Sequence, residues 1–312
     1  MKEKLSTTTS ITSTYAGEFN SYVQAALLAG KTLGEGNIKI MPNVKYKTVL
    51  KKLATANILA ASTCDFAPVG TVTLTEKILE PKSYAVNIQL CKEDFRSDWN
   101  ALEMGMSAND VLPKTFEDFI IANQIATVGA QLETSIWQYD TVISGVTVQL
   151  AADATVNDIS GTTITASNVQ AELAKVVAKL STLNIWGQGE KPVIYAATDV
   201  YMNYLISLGG FGASGVGANG YKTEGPNNQL LGQKLYFSGI ELIETSGLPT
   251  GQMVGAQKSN IVFATGLESD TASVEVIDMA KVDGSQNVRF IMRFTGAVGI
   301  IYGAEVVYYW IY

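Results

Sequence analysis

From Phe66 to Leu90 the chain carries two runs of alternating polarity around a turn. Val72, Leu74 and Ile78 fall on one face of the first run, Glu80-Pro81-Lys82-Ser83 supplies the turn, and Tyr84, Val86, Ile88 and Leu90 alternate on the second. A period of two specifies strands, and the turn between them predicts a long two-stranded hairpin. No third strand follows next in sequence. A two-stranded ribbon with an apolar face is marginal in water, so it must lie on something, and a neighbouring subunit is the natural candidate.

Composition points the same way. Hydrophobic residues make up 47% of the 312 and charged residues only 16%, against roughly 25% charged in an ordinary soluble domain. Such a chain has difficulty covering its own surface, so it is either embedded in lipid or faced by other protein. The most apolar tract, AVGIIYGAEVVYYWIY from Ala297, is broken by glycine and Glu305 and is rich in β-branched and aromatic residues. It falls short of the ~20 residues of a membrane span and reads as one or two strands. The opening MKEKLSTTTSITST lacks the apolar centre of a signal peptide. No membrane is expected as a partner, and extensive contact between protein chains is.

Charge is unevenly spread. Residues 1–52 hold eight lysines against three glutamates, +5 net, which leaves −12 on the remainder of a chain whose total is −7. A basic leading arm on an acidic body suits an acidic neighbour or nucleic acid, and an ordinary solvated segment is the other reading.

Two glycine motifs invite a nucleotide-binding reading and fail on context. GGFGASGVGANG, residues 209–220, holds G-x-G-x-x-G from Gly210 and again from Gly215. A dinucleotide site needs that spacing after a strand and before a helix. Here a helix starting at Thr198 precedes it and the turn chemistry of 221–228 follows, so the segment reads as a surface loop. Residues 25–32, AALLAGKT, end like a phosphate loop but have Ala25 in place of the first glycine, and they continue a helical pattern from Phe19, Tyr22 and Val23.

There is no histidine. That removes Ser-His and Cys-His nucleophile pairs, histidine metal ligands and the usual general base. No spacing singles out a carboxylate pair. Cys64 and Cys91, the two cysteines, lack zinc-site spacing; two separate buried thiols are expected, with a cross-strand bridge as the other arrangement. Carboxylate dyads and Ser-Lys arrangements remain open to a chain with 29 acids, and no catalytic residue, cofactor or metal is expected.

Along the chain, a short helix at 16–29 leads to a linker from Gly30 to Pro42, and Lys45 to Leu59 fits a second amphipathic helix through Val49, Leu50, Leu53 and Ile58. Pro113 to Asp140 predicts a long helix, with Pro113 in its first turn, Thr115 and Asp118 as a capping box, and an apolar stripe from Phe116 to Tyr139. At about 1.5 Å per residue, two dozen residues make a rod of about 36 Å. Thr141 to Leu150 reads as strand and Ala151 to Gly161 as a boundary. Ser167 and Gln170 suggest a capping box opening a helix with Val169, Leu173, Val176, Leu180 and Leu183. A strand at 192–197, the helix from Thr198 and a strand-rich end complete the order.

This order of elements resembles the major capsid protein of tailed phages, the Hong Kong 97-type fold, from about Tyr15 to the C-terminus. The likeness rests on the leading arm, the long hairpin, the spine helix and the helix-strand domain ending in LIETSGLP…NIVFATG…VEVIDM…VRFIMRFTGAVG. CDFAPVGTVTLTEKIL, NIQLCKEDFRSDW and LPKTFEDFI are similar in style to segments of that family. The resemblance implies an α+β fold with an N-terminal arm (1–42), a peripheral domain (43–65, 91–160 and 265–312, the last strands shared with the axial domain), an extended loop (66–90) and an axial domain (161–264). It implies that Phe66, Val72, Leu74, Lys77, Pro81, Tyr84, Val86 and Ile88 contact a neighbouring subunit. Gly210, Gly212, Gly215, Gly217 and Gly220 would form a flexible axial loop.

The function implied is that of a structural subunit. It would self-assemble into pentamers and hexamers of an icosahedral head, built in the host cytoplasm with scaffold and portal proteins and enclosing double-stranded DNA contacted non-specifically. About forty residues precede the first arm strand, so a scaffold would be a separate protein or absent. The residues with which some members cross-link have no match, so no self-catalysed bond is expected. An encapsulin-like shell around cargo protein and a small histidine-free enzyme are the alternative readings.

Overall fold

The computed structural model describes residues 31–44, 46–56, 59, 61, 69–91, 114–139, 142–183, 185–186, 189–208, 234–266, 274–279, 284–285 and 287–311. After a single helical turn, Lys31–Gly34, come strands β1 (Lys39–Met41), β2 (Thr48–Ala56), β3 (Thr71–Leu79) and β4 (Lys82–Cys91). The helix α1 (Lys114–Trp137) has 24 residues; α2 (Val146–Ala152) and β5 (Asn157–Gly161) follow. Helix α3 (Val169–Ser181), β6 (Val193–Ala197) and helix α4 (Thr198–Leu208) lead to β7 (Leu235–Phe237), β8 (Ile240–Thr245), β9 (Met253–Ala256) and β10 (Ile261–Thr265). The last strands are β11 (Val274–Asp278), β12 (Asn287–Ile300) and β13 (Val307–Ile311).

Two larger sheets share one core. The first has the order β5-β13-β9-β6-β8-β7. Its central strand β6, Val-Ile-Tyr-Ala-Ala, is buried along its whole length because α3 and α4 pack on the sheet; a continuous apolar run is what such a strand requires. α3 inserts Val169, Leu173, Val176 and Leu180 at helical spacing. The β7–β8 hairpin turns through Ser238 and Gly239, both at positive φ (50° and 81°), as a two-residue hairpin turn demands.

The second sheet is organised by β12. β4 runs along one edge of it, from Lys82 opposite Gly296 to Cys91 opposite Asn287, while β11 and β10 occupy the other edge in succession. β1 adds to β10 in parallel. β10 sends Ile261 and Phe263 into the main core and Val262 and Ala264 into a smaller cluster on the opposite face with Val44, Leu79 and Ala297.

The leading segment docks on the chain's own body. Thr32 gives its backbone N–H to Glu133 Oε2 at 3.1 Å and its hydroxyl to Glu133 Oε1, and it accepts the Trp137 indole N–H at 2.9 Å. Leu33 and Ile38 are buried, and the Tyr195 hydroxyl donates to the Asn37 carbonyl. Residues 31–44 thus bridge α1, the six-stranded sheet and β10. Parallel pairing and buried hydrogen bonds hold these residues of the leading arm on their own chain rather than on a neighbouring one. The helix expected at 16–29 lies outside the described residues.

Several further expectations are corrected. Where a helix was expected over 45–59, Thr48–Ala56 is a strand, because Val49, Leu50 and Leu53 fit both periods and a nine-residue ladder with β3 decides between them. Where a strand was expected over 141–150, Val146–Ala152 is a helix despite its β-branched residues, with Val146, Thr147 and Leu150 buried and the Thr147 hydroxyl donating to the Trp137 carbonyl at 2.7 Å. The Ser167–Gln170 capping box is absent. Asn168 is the N-cap without a side-chain bond into the helix, and its Oδ1 instead accepts the Thr165 N–H at 2.7 Å. β13 lies in the six-stranded sheet and β12 in the other. The long helix, the strand-helix pair β6–α4 and the strand-rich end are as expected. Among the described residues no helix is long and apolar enough to cross a membrane.

Candidate assembly surface

The anticipated hairpin of 66–90 is not a hairpin. β3 pairs along its whole length with β2, from Thr71 opposite Ala56 to Leu79 opposite Thr48, whereas β4 pairs with β12. Glu80 and Pro81 therefore pass the chain from one sheet to another rather than turn it back. The two-stranded ribbon is β2–β3, and nine residues per strand at about 3.3 Å give it a length of about 30 Å.

Register sorts its side chains. Val49 stands opposite Ile78 and Lys51 opposite Glu76, so these share one face with Leu74 and Val72. Val72 is 67% exposed, Ile78 63%, Leu74 56% and Val49 42%. The Lys51–Glu76 ion pair, at 3.9 Å, interrupts this apolar ladder. The opposite face meets the body at its base, where Leu79 is buried and Leu50 packs beside it. Gly299 makes that approach feasible, since a Cβ there would meet Leu79 Cδ1 at 2.8 Å. Further out, Lys77 reaches Asp153 at 3.7 Å. Hydrogen bonds from the Thr155 hydroxyl and backbone, and then Lys77, hold the Asp153 carboxyl below its usual range. At the joint, hydrogen bonds from Lys47 (3.1 Å) and Lys82 (3.2 Å) lower that of Glu80.

The expected contact residues are thereby divided. Val72 and Leu74 lie on the exposed ladder. Lys77 is on the opposite side, and Pro81 is half-buried at the joint. Tyr84, Val86 and Ile88 leave the ribbon altogether and pack against the main core, with the Tyr84 ring stacked on Phe294 at 5.0 Å. Phe66, the loop glycines Gly210, Gly212, Gly215, Gly217 and Gly220, and Cys64 with any pairing to Cys91 lie outside the described residues. Val49 is the exposed residue that sequence reasoning missed; its Lys-flanked run read equally well at helical spacing.

The buried ionisable groups serve the fold. Glu172 accepts from Lys175 (2.7 Å), from the Tyr309 hydroxyl (2.8 Å) and from Thr162 (3.2 Å). Burial raises its affinity for a proton, but those bonds outweigh it and hold the carboxyl below the usual range. Burial and the bond to Glu172 push the Tyr309 hydroxyl well up. Among the described residues no group of three or more cysteine, aspartate or glutamate side chains is placed to hold a metal ion.

No protein-family model and no curated protein matches the chain. Solved structures do. The fold is similar to a chain from Mycobacterium phage Ogopogo with a TM-score of 0.58 and 11% identity, over 91% of this chain and 92% of that one. It is similar to the capsid of the native GTA particle (TM-score 0.55, 11% identity, 99% and 94% covered). A virus-like particle from Pyrococcus furiosus is also similar (TM-score 0.51, 9% identity, 93% and 96% covered). Mixed sheets around one core, a long helix and a two-stranded ribbon, matched nearly end to end by the GTA capsid and the phage chain, give this chain the Hong Kong 97-type fold.

Proposed function

We propose that this protein is the major structural subunit of an icosahedral phage head. The observation that carries the reading is the exposed ladder of Val49, Val72, Leu74 and Ile78 on a ribbon anchored to its own body at the base. Contiguous exposed apolar residues mark a contact surface, and a two-stranded ribbon needs something to lie on. Covering the ladder with a neighbouring copy contributes roughly 1 kcal/mol per side chain, repeated at every contact of a closed shell.

In this reading the extended loop comprises β2, β3 and the residues between them. The pentamers and hexamers enclose double-stranded DNA contacted non-specifically, assembly takes place in the host cytoplasm with scaffold and portal proteins, and the 209–220 loop adapts the axial domains to five-fold and six-fold positions. The likeness to a virus-like particle favours a second reading, a shell around cargo protein. Electron microscopy of the purified protein tests the shell, and closed particles are expected. Their absorbance at 260 nm separates the two readings: genome-filled heads absorb strongly there and a cargo shell does not. A protein that stays monomeric at high concentration removes both.

A further inference from the structure

β12 presents two different faces. Phe290, Met292, Phe294, Val298 and Ile300 enter the main core, while Arg289, Ile291, Arg293, Thr295, Ala297 and Gly299 alternate onto the other side. Ala297 and Gly299 are covered by Leu79 at the ribbon's base; Arg289 and Arg293 are exposed. β4 lays the exposed Ser83, Ala85 and Asn87 alongside them, and Arg289 Nε donates to Gln89 Oε1 at 2.9 Å. On β11, Ile277 and Glu275 hold the register positions opposite Arg289 and Ile291. The chain has only three arginines, and two of them stand here, four residues or about 13 Å apart along one strand.

Seven lysines elsewhere are paired locally. Lys47, Lys51, Lys77, Lys82, Lys175, Lys234 and Lys258 each have a carboxylate between 2.6 and 3.9 Å away. Among the described residues neither arginine has one.

We propose that this β4–β12 face is a second contact between copies of the chain, with Arg289 and Arg293 receiving carboxylates of a neighbouring copy; it rests on the shell reading above. Three observations favour a copy as the occupant. The strip is continuous with the ribbon's base on the same side of the sheet, so a neighbour engaged by the ribbon lies next to it. Every copy is acid-rich, at −7 net. The guanidinium fork matches a carboxylate with two parallel hydrogen bonds. Lacking an apolar centre, the strip sets register and salt sensitivity, while the apolar ladder supplies most of the attraction.

The test compares the full chain with Arg289→Gln/Arg293→Gln and Arg289→Lys/Arg293→Lys. Light scattering gives the critical assembly concentration between about 50 and 500 mM NaCl, and anisotropy of a labelled duplex gives DNA affinity. The glutamine pair is expected to raise the critical concentration about fivefold at low salt, with the gap closing at high salt, the lysine pair recovering part of it, and DNA affinity and melting temperature unchanged. Equal critical concentrations for all three proteins at low salt, in preparations whose wild type forms shells, overturn this contact and leave the shell reading standing. Weakened duplex binding with unchanged assembly assigns the face to nucleic acid and overturns it as well. A wild type that forms no particles removes the shell reading, and this contact with it.

Discussion

β3 and β4 are separated by two residues, alternate in the same way, and end in opposite circumstances. The odd face of β4 is open, but Tyr84, Val86 and Ile88 on its other face are covered because β12 carries them onto the core. Val72, Leu74 and Ile78 of β3 are no less apolar, yet they remain exposed because their strand's partner is β2, and among the described residues no second layer lies over that face of the pair. An alternating pattern reports that one face will be covered. It does not report by which strand or by which molecule.

The largest test of this contrast replaces residues 51–76 by a short Gly-Ser linker. The body is expected to keep a cooperative melt while closed particles disappear from micrographs; shells that still close place the ladder outside assembly. Next in size is a core truncation. Trp137 is fully buried, 5.0 Å from the Tyr195 ring, and hydrogen-bonded to Thr32, so Trp137→Ala should cost about 3–5 kcal/mol in denaturant unfolding. A loss below about 1 kcal/mol would mean the leading segment and α1 are not coupled as described.

The hinge between the regions comes third. Gly299→Val drives a side chain against Leu79 and should cost about 1–3 kcal/mol, with assembly impaired beyond what that loss explains because the ribbon base must shift. A variant with normal stability and normal shells shows the base to be compliant. Fourth is pH. The Glu172 carboxyl is held below its unfolded value, so its contribution is present above the ordinary carboxylate range and lost as pH falls through the folded value. Wild type should melt above Glu172→Gln at neutral pH, with the gap closing in acid; a gap independent of pH refutes the assigned bonds. Smallest is Val72→Ser, expected to change unfolding by no more than about 0.5 kcal/mol while measurably raising the critical assembly concentration.

Much of the fold was legible in the sequence. The stripe of α1, the run Val-Ile-Tyr-Ala-Ala of β6 followed by the helix at Thr198, and the strand-turn-strand at Leu235–Thr245 each carry a period and punctuation that admit one local structure. Where two periods fit, reading failed: Val49, Leu50 and Leu53 suit a helix as well as a strand, and the β-branched Val146–Val148 suit a strand better than the helix they form. The candidate surface was half legible. Val72 and Leu74 stood out by alternation alone, but Tyr84, Val86 and Ile88 share that alternation, and only the register with β12 moves them to the core.

By itself the sequence determined that this chain has an apolar surplus, too few charges to cover it, strands that leave a face to be buried, and no histidine for the common forms of catalysis. Tertiary structure alone decided which strand pairs with which: β4 finds β12 some two hundred residues away, and β2 finds β3. The physical reason is that side-chain period is a local property of a strand, whereas a backbone ladder is closed by whatever extended segment the rest of the fold brings within hydrogen-bonding distance, near or far along the chain.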